Sequence, residues 1–222
     1  FPLMQPRLLL LDCDSTLSAI EGIDELARVR GDAVFRMVEA MTHDAMEGRI
    51  PVEAVFGRRL EIIQPRLRDV KAVGQRYLET VEPTAVEMLK RVRDSGWTPI
   101  IVSGGFRQAI SPLAEFLGIT RIEAVDLHFD GQGNYTGYDS TFPTTRSGGK
   151  PLVVERLKGE LHPSLIAAVG DGVSDLESKS VVDCFVGFGR YLRRERVARE
   201  AHHFILSLDE LPALLERLQI AG

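Results

Sequence analysis

The feature that most constrains this chain is a set of three apolar runs that each end in small or acidic residues. Arg7 to Leu11 gives way to Asp12-Cys13-Asp14, Thr98 to Val102 to Ser103-Gly104-Gly105, and Leu165 to Val169 to Gly170-Asp171-Gly172. An uninterrupted apolar run suits a strand buried on both faces of a parallel sheet, with its C-terminal end opening onto a site. Shorter runs at Cys184 to Val186 and His203 to Ile205 extend the pattern. Helical periodicities separate the runs. Ala109, Leu113, Phe116 and Leu117 share one predicted face, as do Leu152, Val153 and Leu157, and again Leu211, Leu214, Leu215 and Leu218. Strands alternating with helices predict an α/β fold built on a doubly wound parallel sheet. Ligands of such sheets bind beyond the carboxyl ends of the strands.

One connection is too long. From Thr16 to Thr98 there is far more chain than a crossover needs. The excess carries four apolar stripes: Ile23, Leu26 and Ala27; Val34, Val38 and Met41; Val52, Val55, Phe56 and Ile63; Val70, Val73 and Tyr77. Pro51 suits the first turn of the third. These predict an inserted helical cap over residues 19–78, set as a lid above an α/β core of residues 1–18 and 79–222. Val125 to Tyr138, with Asp130-Gly131-Gln132-Gly133-Asn134 at its centre, predicts a small β-hairpin flap.

Composition narrows the function. Among 222 residues, 27 Lys and Arg stand against 32 Asp and Glu, a formal charge of −5. That balance offers no broad attraction to nucleic acid or to an anionic membrane, so an anionic substrate needs a local cation cluster, a metal, or both. Cys13 and Cys184 are too few for a disulfide framework, which points to a reducing compartment, the cytoplasm. Leu8 to Leu11 is too short for a signal-peptide core or a membrane span. Phe1 to Leu3, ahead of Met4, read as foreign to the natural start.

The strand ends carry the chemistry. Asp12 and Asp14, two apart on an extended segment, face one way. One carboxylate can attack phosphorus to give an acyl phosphate, and the other can hand a proton to the leaving alkoxide. Taken alone, such a pair is more often a solvated turn or a helix cap. Asp171 and Asp175, flanking a tight turn at another strand end, can join Asp12 as hard oxygen ligands for Mg²⁺, which would offset repulsion between an anionic nucleophile and a phosphate. Ser103-Gly104-Gly105, read as the opening of a helix, offers a hydroxyl and backbone N–H groups to an anion. Lys150, at the start of another helix, opposes the helix dipole unless something negative lies close. Arg59 falls on an apolar stripe. It is either paired inside the helical bundle or free to grip a substrate carboxylate. Arg193-Arg194-Glu195-Arg196 reads as a solvated helical face. Cys13, between two acids, is a poor nucleophile that packs behind the strand end.

In this order the motifs resemble the haloacid dehalogenase-like superfamily, from about Leu8 to near Leu218, and the finer resemblance is to its phosphoserine phosphatase branch. The matching residues are Asp12 to Thr16, Glu21 to Ala27, Met41-Thr42, Ala45-Met46 with Gly48, Arg59-Leu60, Val102 to Phe106, Ser147 to Lys150, Gly170 to Asp175 and Phe185 to Gly189. The resemblance implies a Rossmann-like core with a cap and Mg²⁺-dependent hydrolysis of O-phospho-L-serine, the last step of serine biosynthesis. Asp12 would be the nucleophile and Asp14 the general acid/base. Mg²⁺ would be held by Asp12, the backbone carbonyl of Asp14 and Asp171, with Asp175 in support. Ser103, Gly104 and Lys150 would hold the phosphoryl group, and Glu21 and Arg59 the amino and carboxylate ends of the substrate. Met46, Val52, Gly105 and Ser174 complete the implied substrate-binding set. Val52 replaces a frequent Phe, which predicts a looser lid, and Ser174 replaces Asn or Thr while keeping a hydroxyl. Two alternatives stand beside this reading: a related phosphatase for another small phosphate ester, and a non-catalytic phospho-ligand sensor.

Overall fold

The structure, a computed structural model, describes residues 5–221, so Phe1 to Leu3 lie outside the described residues. In chain order the first elements are β1 (Arg7–Leu11), α1 (Gly22–Arg28), α2 (Asp32–Met46), α3 (Val52–Ile63), α4 (Leu67–Glu79) and α5 (Ala85–Asp94). β2 (Trp97–Phe106), α6 (Arg107–Phe116), β3 (Ile122–Val125), β4 (Leu127–Phe129), β5 (Tyr135–Tyr138) and α7 (Gly149–Leu161) follow. The chain ends with β6 (Leu165–Gly170), α8 (Val173–Leu176), β7 (Cys184–Phe188), α9 (Glu195–Glu200), β8 (His203–Ile205) and α10 (Leu211–Ala221).

Six strands form one parallel sheet in the order β3-β2-β1-β6-β7-β8. The chain winds outward from β1 to β3, then returns to lay β6 on the other side of β1. That reversal opens a crevice at the carboxyl ends of β1 and β6, where doubly wound sheets bind ligands. In β1, Leu9 and Leu11 pack on one face with Trp97, Ile101 and Val169, while Leu8 and Leu10 pack on the other with Val153, Ile166 and Phe185. Side chains alternate across a strand, so a strand apolar at every position is buried on both faces.

Helices α1 to α4 leave and rejoin the sheet through a paired neck. Ala19 N–H donates to Thr80 O at 2.9 Å and Glu82 N–H to Leu17 O at 2.9 Å, around an antiparallel bridge of Ser18 with Val81. β4 and β5 pair as a separate antiparallel hairpin. Asp130 Oδ1 turns it by accepting from the N–H groups of Gln132 and Asn134 at 2.8 and 2.9 Å, and Tyr138 lays its ring 5.2 Å from that of Phe56 on α3.

Several expectations are corrected. Ser103 to Gly105 do not open a helix; β2 runs extended through Phe106 and α6 starts at Arg107. Phe116 and Leu152, assigned to apolar faces, are 60% and 49% exposed because both lie on the solvent side of their helices. β3 is a sheet strand with no counterpart in the periodicity reading, since Glu123 interrupts its four residues. Pro51 caps α3 from just outside it.

Candidate active site

Past Leu11 the backbone stays extended at Asp12 and Asp14, with φ of −69° and −62°. Ser15 then takes φ of 50°, in the left-handed region. That costs a non-glycine residue on the order of 1 kcal/mol and is met by local bonds. Ser15 Oγ donates to Glu21 Oε1 at 2.7 Å, and its N–H donates to Ile20 O at 3.1 Å. The extended pair followed by a sharp turn directs both Asp12 and Asp14 into one cleft.

Three chain segments meet there. Lys150, second residue of α7 and buried, sits with Nζ 3.0 Å from Asp12 Oδ1 and donates to Asp175 Oδ1. Burial opposes its charge, but Asp12 and Asp175 hold the ammonium protonated, well above the usual lysine range. Carboxylate oxygens of Asp12, Asp171 and Asp175 lie within 4.8 Å of one another. Burial, with Asp12 nearby, raises Asp171 to about 6 and Asp175 to about 8. Buried hard-oxygen donors under mutual repulsion fit a divalent cation, so these residues form a group able to hold a metal ion. Asp14 is raised to about 7, chiefly by withdrawal from solvent and then by Asp12.

The Ser103–Gly105 strand end forms the adjoining wall. Ser103 is fully buried, its Oγ accepts from Gly105 N–H at 3.0 Å, and its carbonyl accepts from Thr144 Oγ1 at 3.0 Å. A Cβ on Gly105 would meet Asp14 Oδ2 at 2.9 Å, so only glycine lets this strand approach the acid. Ser174 and Met46 line the cleft beside Asp171.

The inserted helices supply another part of the lining. Arg59 on α3 is 4% exposed, and its Nη1 donates to Thr42 Oγ1 at 3.0 Å. Thr42 in turn donates to Asp24 Oδ1 at 2.7 Å. A threonine thus stands between Arg59 and its nearest acid, and among the described residues Arg59 makes no ion pair. Its Nε is buried without a partner. A buried cation with an idle donor is costly unless an anion arrives. Glu21 lines the same cleft, its carboxyl pushed well above the usual range by withdrawal from solvent and by Asp14. Val52 and Phe56 close the side.

The structure therefore lines one cleft with Asp12, Asp14, Glu21, Met46, Val52 and Arg59 from the first half of the chain. Ser103, Gly104, Gly105, Lys150, Asp171 and Ser174 come from the second half, and Asp175 stands behind Lys150. Ile23, Phe106, Thr144 and Arg146 also face it. The first two sit within or beside apolar runs, and the last two carried no sequence signal. Arg194 is a correction. It is 2% exposed rather than solvated, with Nε donating to Asp171 Oδ2 at 3.2 Å and Nη1 to Glu47 Oε1 at 3.1 Å. Tyr77, read only as part of an apolar stripe, donates its hydroxyl to Asp14 Oδ1. A buried phenol on such a stripe needs an acceptor, and that was the available signal.

Known proteins are similar to this chain over most of its length. The haloacid dehalogenase-like hydrolase family model matches residues 9–178. A phosphoserine phosphatase from Bos taurus is 37% identical over 207 residues, spanning 92% of this chain and 91% of its own. The solved phospho-aspartyl intermediate analogue of a phosphoserine phosphatase superposes with a TM-score of 0.81 at 26% identity, over 96% of this chain and 99% of the other. A substrate-bound phosphoserine phosphatase complex gives 0.81 at 25% identity, over 97% and 99%. With the model covering most of the sheet and the relative nearly the whole length, the chain belongs to the haloacid dehalogenase-like hydrolase family.

Proposed function

We propose that this chain is a Mg²⁺-dependent phosphomonoester hydrolase that converts O-phospho-L-serine to L-serine and phosphate, the last step of serine biosynthesis, by way of a phosphoryl group carried on Asp12. The observation that carries this reading is one cleft lined both by a buried lysine between carboxylates and by a buried arginine without an ion-pair partner among the described residues. A phosphate monoester bearing a carboxylate and an ammonium suits those charges: Lys150 and the Ser103–Gly105 wall for the phosphoryl group, Arg59 for the carboxylate, Glu21 for the ammonium.

In the first step a carboxylate oxygen of Asp12 bonds to phosphorus as the ester P–O bond breaks, and Asp14 gives its proton to the departing serine oxygen. In the second, Asp14 takes a proton from water as that water attacks phosphorus, releasing phosphate and restoring the Asp12 carboxylate. A carboxyl raised to about 7 suits both transfers near neutral pH. Asp12, Asp171 and the carbonyl of Asp14 would hold Mg²⁺, with Asp175 in support through Lys150. When bound, the ion supplies positive charge against the repulsion between nucleophile and phosphate.

Residues 19–78 act as the cap over a core of residues 1–18 and 79–222. The free, buried Cys13 and Cys184 support a reducing compartment, the cytoplasm.

The test is phosphate release across a panel of small phosphate esters, with Mg²⁺ and with chelator, for the wild type and Arg59→Ala. Phosphoserine is expected to be the best substrate and to need Mg²⁺. Arg59→Ala should weaken its hydrolysis about a hundredfold more than that of an ester lacking a carboxylate. Faster turnover of another ester, or equal losses on both, would overturn the substrate assignment.

A further inference from the structure

We infer that Tyr77, in the last turn of α4, is a positioning residue for Asp14: its hydroxyl pins one carboxylate oxygen and thereby leaves the other to face the leaving group. The inference rests on Asp14 being the general acid of the proposed reaction.

Four observations converge. Tyr77 is fully buried, and its hydroxyl donates to Asp14 Oδ1. Gly22 N–H donates to the same oxygen at 2.9 Å. Asp14 Oδ2 receives no hydrogen bond among the described residues and lies on the Ser103–Gly105 side, against Gly105. Finally, a Cβ on Gly22 would run into the Tyr77 hydroxyl, so the glycine and the phenol are matched in shape.

A carboxylate oxygen that accepts two hydrogen bonds has little capacity left, so a transferable proton is carried on the other oxygen. Two donors also fix the plane of the carboxyl group. Freed of them, Asp14 could turn its proton away from the cleft, and proton transfer depends on geometry before anything else. Both donors come from the inserted helices rather than the sheet: Gly22 opens α1 and Tyr77 closes α4. The stripe Val70, Val73 and Tyr77 explains how the phenol reaches this depth, since the first two are buried on the same face. A phenylalanine would satisfy that packing equally well. The hydroxyl serves Asp14.

Tyr77→Phe removes the donor and keeps the ring. Hydrolysis of phosphoserine, whose alkoxide needs a proton to leave, is compared with that of acetyl phosphate, a compact acyl phosphate whose acetate leaves without one. The second-order rate constant kcat/KM reports the first phosphoryl transfer in both. For Tyr77→Phe, phosphoserine kcat/KM is expected to fall by about tenfold to a hundredfold through kcat, with KM little changed, while acetyl phosphate stays within about threefold of wild type. Asp14→Asn should show the same bias more strongly. Gly22→Ala, which displaces the phenol without removing it, should resemble Tyr77→Phe. Equal losses on both substrates, or no loss on phosphoserine, would overturn the positioning role, and so would an Asp14→Asn variant with no leaving-group bias. Should the wild type prefer another alkyl phosphate, only the substrate assignment falls, and that ester takes the place of phosphoserine in the same comparison.

Discussion

Arg194 lies buried between Asp171 and Glu47, at 3.2 and 3.1 Å, so its removal leaves two acids uncompensated beside the cleft. Breaking a buried pair from one side costs on the order of 3 kcal/mol, and groups that orient metal ligands typically change metal affinity about tenfold to a hundredfold. Arg194→Ala should therefore raise the Mg²⁺ concentration needed for half-maximal activity by at least about tenfold, with Arg194→Lys intermediate because one prong of the contact survives. A Mg²⁺ titration of initial rates checks this; an unchanged midpoint would remove Arg194 from the support of Asp171. Such a residue was hard to read in the sequence. Arg193, Glu195 and Arg196 around it are exposed, and a charged string gives no sign of which member turns inward. Tyr77 was hidden for the opposite reason, because its ring fits the apolar stripe that conceals its hydroxyl. Asp12, Asp14, Asp171 and Lys150 stood out because each follows an apolar run or opens a helix, and the strand ends of a doubly wound sheet are where its ligands bind.

Helix α3 and the loop ahead of α7 hold each other closed. Val52 N–H donates to Ser147 Oγ at 3.1 Å, and Ser147 N–H donates back to Glu53 Oε2 at 2.9 Å. The hydroxyl thus satisfies one of the first-turn donors that a helix leaves open. The Ser147 N–H also lowers the Glu53 carboxyl, so this contact is fully present in the ordinary glutamate range and is lost only as pH falls below that range, through the lowered value. Ser147→Ala should speed hydrogen exchange at residues 48–56 several-fold without changing exchange in β1 or β6; equal exchange in the two proteins would show that the contact does not restrain the helix. At this scale the strands β1, β2 and β6 were legible as uninterrupted apolar runs, and the inserted helices as four separate stripes. β3 was not, because four residues with a buried Glu123 carry too little periodicity, and that acid is held by Arg121 and Arg156 from outside the strand. The Ser103–Gly105 segment misled because glycines that signal a turn can also let a strand run close past a neighbouring acid.

Across the whole molecule, charge burial sets the pH response. Burial is the leading cause that raises Asp14 to about 7, Asp24 to about 6, Asp171 to about 6 and Asp175 to about 8. In the unfolded chain these groups release their protons near pH 4. Between about pH 4 and 8 the folded state binds more protons than the unfolded one, so stability falls as pH rises through this window. Metal-free protein should accordingly melt at a lower temperature at pH 8 than at pH 5. Added Mg²⁺ should raise the melting temperature more at pH 8, where the carboxylates are ionised and need it. Thermal unfolding with chelator and with Mg²⁺ measures both; a Mg²⁺ effect that is larger at pH 5 would contradict the picture of repelling buried acids. Asp12, whose carboxylate lies 3.0 Å from Lys150 Nζ, is the group that the proposed reaction phosphorylates. Acid quenching of the enzyme during turnover of phosphoserine, followed by mass analysis of its peptides, tests that phosphorylation most directly. The expected result is a phosphoryl group on the peptide containing Asp12 in the wild type, and neither the adduct nor turnover in Asp12→Asn. Near-normal turnover by Asp12→Asn would contradict the account.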